Sequence, residues 1–260
     1  MALRAYPEDP GSSVRFYRGR GGPEAMGDQQ LRDLDIVAVT SHEMRSPLAA
    51  IRGFVDTLRR RRHSMDDDQV EEFLTVIASQ AERLTRLVDD LLVLAGLEAG
   101  GIKVAVEPVL LVPFLETVLA EQPGGQGRVT LSVSADTPAT IETDPLRLHQ
   151  IVANLVANAL KYSSPDQPIA LTVGSERDRL VLEVSDRGPG IPLLELDRIF
   201  EPYYRTAEGR AAADGFGLGL SITRRLAEAL GGQLTVTSVV GEGSSFRLSL
   251  PATPARVPRS

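Results

Sequence analysis

Apolar residues and one small residue recur in alternating steps of three and four residues along the first long segment of the chain. The positions are Leu34, Val37, Ser41, Met44, Leu48, Ile51, Val55 and Leu58. A repeat of this period places all of them on one helix face, which then packs against partners. The pattern therefore predicts a long amphipathic helix over residues 28–62.

A second helix is predicted after the polar turn at residues 63–68, and it ends at the Gly100-Gly101 pair. Its apolar positions are Val70, Leu74, Ile77, Ala81, Leu84, Val88 and Leu91. The two helices form a hairpin that carries more apolar surface than one hairpin can bury. We therefore expect a homodimer in which two hairpins form a four-helix bundle.

Beyond the glycine pair the period changes to that of strands alternating with helices. Strands are predicted at 102–106, 128–133, 169–173, 180–184, 233–237 and 245–250, and helices at 112–121, 144–162, 193–199 and 217–230. Asp144 and Pro145 suit the cap and first position of the second of these helices. The fold class is predicted to be α+β, a helical hairpin followed by an α/β sandwich.

The same patterns divide the chain into four parts. Residues 1–27 mix Pro, Gly, Ser and Arg without periodicity and are predicted to be a linker or flexible segment. The helical domain is predicted at 28–100, the α/β domain at 101–252 and a flexible tail at 253–260.

The amino-acid composition excludes several kinds of site and function. The chain has 260 residues, 42% of them hydrophobic, and no cysteine, which excludes disulfides, cysteine-ligated zinc and a thiol nucleophile. A net charge of −7 disfavours general nucleic-acid binding. There is no long apolar run and no signal-peptide pattern, so we expect a cytoplasmic, soluble chain whose membrane contact would require an upstream segment.

His42 follows Ser41, the small residue of this repeat, so its ring is expected to project beside the packed face into water. Neutral imidazole is a competent nucleophile near neutral pH, and Glu43 can orient it by accepting a hydrogen bond from one ring nitrogen. This pairing suits attack on phosphorus. Pro47 is expected to kink the helix one turn further on. The alternative interpretation is a surface histidine on a bundle helix.

Asn154, Asn158 and Lys161 are spaced four and three residues apart on a predicted helix, so one face carries all three. An asparagine oxygen is a hard ligand suited to Mg²⁺, and a lysine ammonium can meet phosphate oxygens. Tyr162 can pack on a base. The alternative is an ordinary solvated polar face.

Glycine-rich segments provide a third group of candidates. In the run from Asp186 to Ile191, the glycines allow close approach to a planar ligand, and the carboxylate can accept an amine hydrogen. The run from Gly215 to Ser221 opens a helix, whose free N–H groups can hold phosphate oxygens. It is not a P-loop, because no Lys-Ser/Thr pair follows.

In this order the motifs resemble those of two-component sensor histidine kinases. The segment from His42 to Phe54 resembles the phospho-accepting box, and the helix carrying Asn154 and Asn158 resembles the N box. The segment 199–205 resembles the F box, and the glycine runs starting at 186, 215 and 241 resemble the three glycine boxes. The resemblance implies a HisKA dimerisation and phosphotransfer domain followed by a GHKL-type ATP-binding domain.

The resemblance also implies roles for individual residues. His42 would receive the phosphoryl group with Glu43 orienting or deprotonating it, Asn158 would coordinate Mg²⁺, and Asp186 would read the adenine. The nucleotide-binding candidates are Asn154, Asn158, Lys161, Tyr162, Asp186, Gly188, Gly190, Ile191, Arg205, Gly215, Gly217, Leu218, Gly219 and Leu220. The polar segment 206–214 is expected to form a mobile lid.

The implied function is ATP-dependent autophosphorylation on His42, followed by transfer to an aspartate of a response regulator. Ser46 departs from the Thr or Asn that the family commonly uses for regulator phosphatase activity. One alternative is a hydrolytic ATPase of the same superfamily, in which a glutamate that activates water stands where this chain has Asn154. A degenerate ATP-binding scaffold is another alternative.

Overall fold

The computed structural model describes residues 23–98, 103–206 and 216–251. The side chains of residues 23–39, 42, 43 and 98 lie outside this description. The predicted tail and most of the predicted linker also lie outside the described residues. By its internal contacts the chain divides into two compact units, residues 1–45 and residues 46–260.

The predicted helical hairpin is present. Helix α1 spans Pro23–Arg61, which begins before the predicted residue 28, and Pro47 lies inside it. A short 3₁₀ turn at Arg62–Ser64 leads to helix α2 at Asp67–Glu98. The predicted capping turn precedes α2.

A reciprocal pair of hydrogen bonds caps the start of α2. The Gln69 N–H donates to Asp66 Oδ1 at 2.8 Å, and the Asp66 N–H donates to Gln69 Oε1 at 3.3 Å. This is a capping box, which satisfies two N–H groups that have no partner inside the helix. Nearby, the rings of Phe54 and Phe73 meet edge to face with centroids 4.9 Å apart, which joins the second half of α1 to α2.

Only part of the apolar surface of the hairpin is covered within the chain. Leu87 and Leu94 of α2 are buried. Four large apolar side chains on the predicted helix seams remain exposed, with exposed fractions of 51% at Leu48, 38% at Val55, 47% at Leu74 and 42% at Val88. Leu48 and Val55, like Leu74 and Val88, are separated by whole heptads, so each helix leaves an apolar stripe facing outward.

The second part of the chain is the predicted α/β domain. Its elements in chain order are β1 Glu107–Leu110, α3 Leu111–Ala120, β2 Val129–Val133, β3 Thr140–Thr143, α4 Pro145–Tyr162, β4 Ile169–Glu176, β5 Arg179–Ser185, α5 Gly219–Ala229, β6 Gln233–Val239 and β7 Gly243–Pro251. The α+β class, with a hairpin followed by a layered α/β domain, is confirmed.

Strands β2, β4, β5, β7 and β6 form a five-stranded sheet in that order. The pair β2 and β4 is parallel, and the other pairs are antiparallel. Alternate residues face the core, as at Leu171, Leu182 and Leu248, while Glu183 and Arg247 lie on the opposite, more exposed face. Helices α3, α4 and α5 form a layer that packs against the sheet. The helices thereby cover one face of the sheet.

Two element predictions were wrong. The described residues 103–106 form no strand; the Ala105 N–H donates instead to Asp144 Oδ2 at 2.9 Å, and the first strand is β1, paired with the unpredicted β3. The predicted helix at 193–199 is two 3₁₀ turns, Leu193–Glu195 and Arg198–Phe200. Leu193 and Leu194 are 82% and 90% exposed, so these two residues face solvent, whereas Ile199 is buried.

Candidate functional site

A cavity of about 440 Å³ lies beside α4 and the first turn of α5, and it is lined by residues of every predicted nucleotide motif. This volume is in the range of small-molecule sites. The sequence-predicted residues on its wall are Asn154, Asn158, Lys161, Tyr162, Asp186, Gly190, Ile191, Arg205, Gly217, Leu218, Gly219 and Leu220. Gly188 lies next to the wall rather than on it, and Gly215 lies outside the described residues.

The two asparagines of α4 have different surroundings. The Asn154 Nδ2 group donates to Thr223 Oγ1 at 2.7 Å, and that hydroxyl donates to the Gly219 carbonyl at 2.8 Å. Asn154 therefore ties α4 to the first turn of α5. The Asn158 amide makes no hydrogen bond to another described residue and faces the cavity, so its oxygen is available to a ligand.

Asp186 follows β5 directly and is held by backbone groups. Its Oδ1 accepts the Gly188 N–H at 2.7 Å, and its own N–H donates to the Ser244 carbonyl at 2.8 Å. Burial raises the pKa of the carboxyl group, while hydrogen bonds from the backbone at Gly188 and Ser244 act in the opposite direction. Gly188 thus fixes the carboxylate that faces the cavity.

Close packing explains the next glycine of this turn. Gly190 has a φ of 71°, and a side-chain carbon there would overlap the backbone of Val239 and Val240. The Ile191 N–H donates to Ser238 Oγ at 2.8 Å, which fastens the turn to the end of β6. The turn therefore has one conformation in which Asp186 and Ile191 both line the cavity.

The second glycine run leads into α5 as predicted. Gly217 has a φ of 72°, and its carbonyl accepts the Tyr203 N–H at 2.9 Å, which links the predicted F box to this run. Gly219 starts α5, and no side chain among the described residues caps the helix at Leu218. Its first N–H groups and the positive end of its dipole point to the cavity region. The predicted lid at 206–214 lies almost entirely outside the described residues.

Three further predicted residues meet at the end of α4. The Lys161 ammonium lies 5.0 Å from the centroid of the Tyr162 ring, a cation–π distance. Burial raises the pKa of Tyr162, and the nearby Arg205 charge partly opposes this. The cavity therefore has two cations and an aromatic ring on one side, a combination suited to an anionic ligand with a planar group.

Helix α2 also contributes to the wall, which the sequence did not predict. The residues are Ser79, Gln80, Arg83, Arg86 and Asp90. Burial and the neighbouring Asp89 raise the pKa of Asp90 to about 6, and Arg86 lowers it in part. No local pattern marks these residues, because their place on the wall depends on how α2 packs against the α/β domain.

The predicted phospho-accepting residues lie on α1. His42 and Glu43 are in the helix, but their side chains lie outside the described ones. Ser46 lies one turn after His42 and its side chain is exposed. The orientation predicted for the His42 ring stays a prediction.

The residues present fit a single magnesium ion bound together with a nucleotide. Among residues 23–98, 103–206 and 216–251, no group of three or more His, Cys, Asp or Glu side chains could hold a metal ion. Mg²⁺ commonly takes few protein ligands and completes its shell with phosphates and water. The unbonded Asn158 amide has the chemistry of such a ligand.

Two family profiles match the chain. The family described as "His Kinase A (phospho-acceptor) domain" matches residues 33–100, and the family described as "Histidine kinase-, DNA gyrase B-, and HSP90-like ATPase" matches residues 143–254. None of the described helices has the length and hydropathy needed to cross a membrane.

Curated relatives are similar over most of this chain. The circadian input-output histidine kinase CikA of Synechococcus elongatus is 33% identical over 223 residues, which is 84% of this chain and 30% of CikA. The aerobic respiration control sensor protein ArcB of Escherichia coli is 35% identical over 222 residues, 83% of this chain and 28% of ArcB. The chain thus spans less than a third of the length of these relatives.

Solved structures have the same architecture. Full-length ShkA in complex with AMPPNP matches with a TM-score of 0.62 at 30% identity, over 86% of this chain and 47% of ShkA. Histidine kinase ThkA in complex with response regulator protein TrrA matches with a TM-score of 0.67 at 23% identity, over 90% of this chain and 66% of ThkA. At that identity the ThkA match supports the fold alone.

Proposed function

Because this chain belongs to the histidine kinase family and has the core domains of a two-component sensor kinase, we propose that it transfers the γ-phosphoryl group of ATP to its own His42. A lone pair of a ring nitrogen forms the new N–P bond, the bond from the γ-phosphorus to the bridging oxygen breaks, and ADP leaves. Glu43 is proposed to orient the ring or to take up its proton. The reaction depends on positioning and charge neutralisation.

The observation that carries this proposal is the contrast between the two asparagines on the cavity wall. Asn154 is engaged by Thr223, whereas Asn158 is available to bind a metal ion. Asp186, at one end of the cavity, would accept a hydrogen bond from the adenine amine. The start of α5, at the other end, would bind the phosphates. The ShkA structure, which contains an ATP analogue, supports a nucleotide as the ligand.

Mg²⁺ belongs to the proposal as the cofactor. Asn158 would hold it, and the ion would neutralise charge on the phosphates. Lys161 and Arg205 supply further positive charge on the same wall, and the amides at the start of α5 bind phosphate oxygens. Gly215, of the same glycine run, is proposed to bind the nucleotide as well.

The proposed next step is transfer of the phosphoryl group from His42 to an aspartate of a response regulator. The match of residues 33–100 to the family described as "His Kinase A (phospho-acceptor) domain" supports this step through the family relationship. The exposed Ser46 hydroxyl is proposed to position water for the reverse reaction, removal of the phosphate from the regulator.

We propose that the active form is a homodimer. The outward-facing stripes formed by Leu48 and Val55 on α1 and by Leu74 and Val88 on α2 are the surfaces that a second hairpin would bury. Four helices packed in this way form a bundle with a common core. The proposed domains are 28–100 for dimerisation and phosphotransfer and 101–252 for ATP binding, with 1–27 and 253–260 as flexible flanks.

The structure offers an argument against the hydrolytic ATPase. Asn154 stands where that class has a glutamate that activates water. Its amide cannot accept a proton, and it donates a hydrogen bond to Thr223. A scaffold without turnover would have no need for the available Asn158 or for the fixed Asp186 carboxylate. Both alternatives remain outcomes of the test.

The test is labelling of the full chain with magnesium and ATP that is radiolabelled at the γ-phosphate. We expect acid-labile labelling that His42→Ala abolishes and that His63→Ala, a change at an exposed histidine of the hairpin turn, leaves intact. Phosphate release that persists in His42→Ala would instead identify an ATPase. If the wild-type chain is not labelled and releases no phosphate, the scaffold is the correct alternative.

A further inference from the structure

One face of α2 forms part of the nucleotide cavity. Gln80, Arg83, Leu87 and Asp90 are spaced by three or four residues, so a single helix face carries them. Leu87 on this face has an exposed fraction of 0%, and α2 contacts α5 directly. This face is separate from the outward stripe of Leu74 and Val88, so α2 has one surface for the α/β domain and another that stays exposed.

Arg83 has a defined place on this face. Its guanidinium carbon lies 5.1 Å from the centroid of the Phe216 ring, and its side chain is half-buried. Phe216 directly precedes Gly217, and both line the cavity just before the first turn of α5. The guanidinium therefore lies at the end of the cavity where the free N–H groups of α5 can receive phosphate.

We propose that Arg83 is a nucleotide-binding residue that donates hydrogen bonds to phosphate oxygens of the bound nucleotide. The inference rests on the proposed function, since it names a further contact for that nucleotide. A guanidinium 5.1 Å from an aromatic ring is held there by cation–π attraction, and its fork of N–H groups matches the geometry of phosphate oxygens. Phe216 thus orients the group.

The charges around Arg83 agree with an anionic ligand at this end. Arg86 and Lys161 line the same cavity, and Arg205 lies on its wall as well. Asp90 is the one carboxyl group that the described part of α2 contributes to the wall, and burial raises its pKa to about 6. Positive charge therefore exceeds negative charge on this side before a nucleotide enters.

The contact has a consequence for the enzyme. A nucleotide held by Arg83 of α2 and by the glycine run of the α/β domain would bridge the phospho-accepting hairpin and the ATP-binding domain. Adenosine, which has no phosphate, would occupy the Asp186 end without making this bridge. Comparing the two ligands therefore separates a phosphate contact from general packing.

The experiment measures the affinity of the full chain for ADP and for adenosine by calorimetry. Arg83→Gln is expected to weaken ADP binding about tenfold, the equivalent of losing a hydrogen bond to a charged group, and to leave adenosine binding unchanged. Arg83→Lys keeps the charge and is expected to lose less. Arg59→Gln, at an exposed arginine in the last turn of α1, is the matched control and should bind ADP normally.

Other results would overturn the inference. Equal losses for ADP and adenosine in Arg83→Gln would mean that Arg83 only packs on Phe216, and unchanged ADP binding would mean that it does not reach the phosphates. If Arg83→Gln does not fold, the same comparison of ADP and adenosine binding is made with Arg83→Lys. A wild-type chain that binds neither ligand would overturn the proposed function itself.

Discussion

The Asn154 Nδ2 group donates to Thr223 Oγ1 at 2.7 Å, and through this bond α4 is fastened to the first turn of α5. A side-chain carbon on Gly219 would overlap the Asn154 amide oxygen, so the two helices touch at this point without room for any other residue. The end of the cavity at the start of α5 is therefore built on a hydrogen bond between two helices far apart in sequence.

Asn154→Ala is expected to lower stability rather than to remove a nucleotide ligand. The change leaves the part-buried Thr223 hydroxyl with one fewer partner, and lost hydrogen bonds of this kind cost about 1–3 kcal/mol. Urea unfolding of the variant and the wild type measures this. Asn154→Asp is the matched variant, because it keeps the size of the side chain but cannot donate to the Thr223 hydroxyl, whose hydrogen is donated to the Gly219 carbonyl, so it should be destabilised as well. A loss of nucleotide binding in Asn154→Ala at unchanged stability would contradict the assignment.

Asn158→Ala is expected to have the opposite profile. Asn158 makes no hydrogen bond to another described residue, so the unfolding free energy should change little. Magnesium-dependent labelling of His42 should fall by about 100-fold or more, since the ion loses its protein ligand. Titrating MgCl₂ in the labelling assay checks this. Normal labelling at low magnesium would show that the metal is held elsewhere.

Val88→Asp is expected to convert the dimer into monomers, because a charge would replace an apolar side chain in the core of the bundle. Val133→Asp is the control. Val133 lies on β2 with an exposed fraction of 39%, close to the 42% of Val88, but outside the hairpin. Sedimentation of both variants at micromolar concentration gives the answer. A monomeric wild type, or dimers in both variants, would contradict the proposed interface.

Asp90→Asn is expected to strengthen nucleotide binding at pH values above about 6, where the native carboxyl is ionised and repels phosphate. Below that pH the two proteins should converge, since the native group is then protonated. Arg83, Arg86, Lys161 and Arg205 keep their charge on both sides of this pH, and Asp186 is the other carboxyl on the wall. ADP affinity measured across the range checks this.

The same substitution has a predicted effect on folding. The pKa of Asp90 rises from 3.8 to about 6 on folding, so the folded state holds the proton more tightly than the unfolded state. Stability therefore falls as the pH rises from 3.8 through 6. Asp90→Asn removes this dependence and should raise the melting temperature more at neutral pH than at acid pH. An equal rise at both would contradict the pKa assignment.

Asp144→Ala is expected to destabilise the α/β domain and to release the segment that enters it. One carboxylate oxygen caps α4 by accepting the Arg147 N–H at 3.1 Å, and the other accepts the Ala105 N–H at 2.9 Å. Loss of a cap costs about 0.5–2 kcal/mol. Hydrogen exchange at Ala105 should become faster. Asp144→Asn is the control, because asparagine also caps helices but keeps one oxygen.

Local patterns predicted the elements whose signals lie within a few residues of one another. The period of α1 and α2, the Asp66 and Asp144 caps, and the glycines at 190 and 217 are all of this kind, because backbone geometry and capping depend on near neighbours. The order of the motifs also predicted which residues of α4 and of the two described glycine runs line one cavity. These are the residues that the family resemblance identified.

The strand predictions around β1 and β3 failed because the hydrogen-bonding partners of these segments are distant in sequence. Strand β3 is four residues long with Ile141 as its one buried apolar residue, and it exists because β1 pairs with it. The segment before β1 carries strand-like residues, but the Ala105 N–H donates to the side chain of Asp144, which caps α4. Neither result can be obtained from the local period.

The sequence by itself determined the helical hairpin, the α/β domain and the residue types of the nucleotide site, because periodicity, capping and glycine conformation act within a few residues. Only the tertiary structure decided that Asn154 bonds to Thr223 while Asn158 stays available, and that α2 brings Arg83 and Asp90 to the cavity. Those relationships depend on how packed elements meet, and their free energy comes from contacts between residues far apart in the chain.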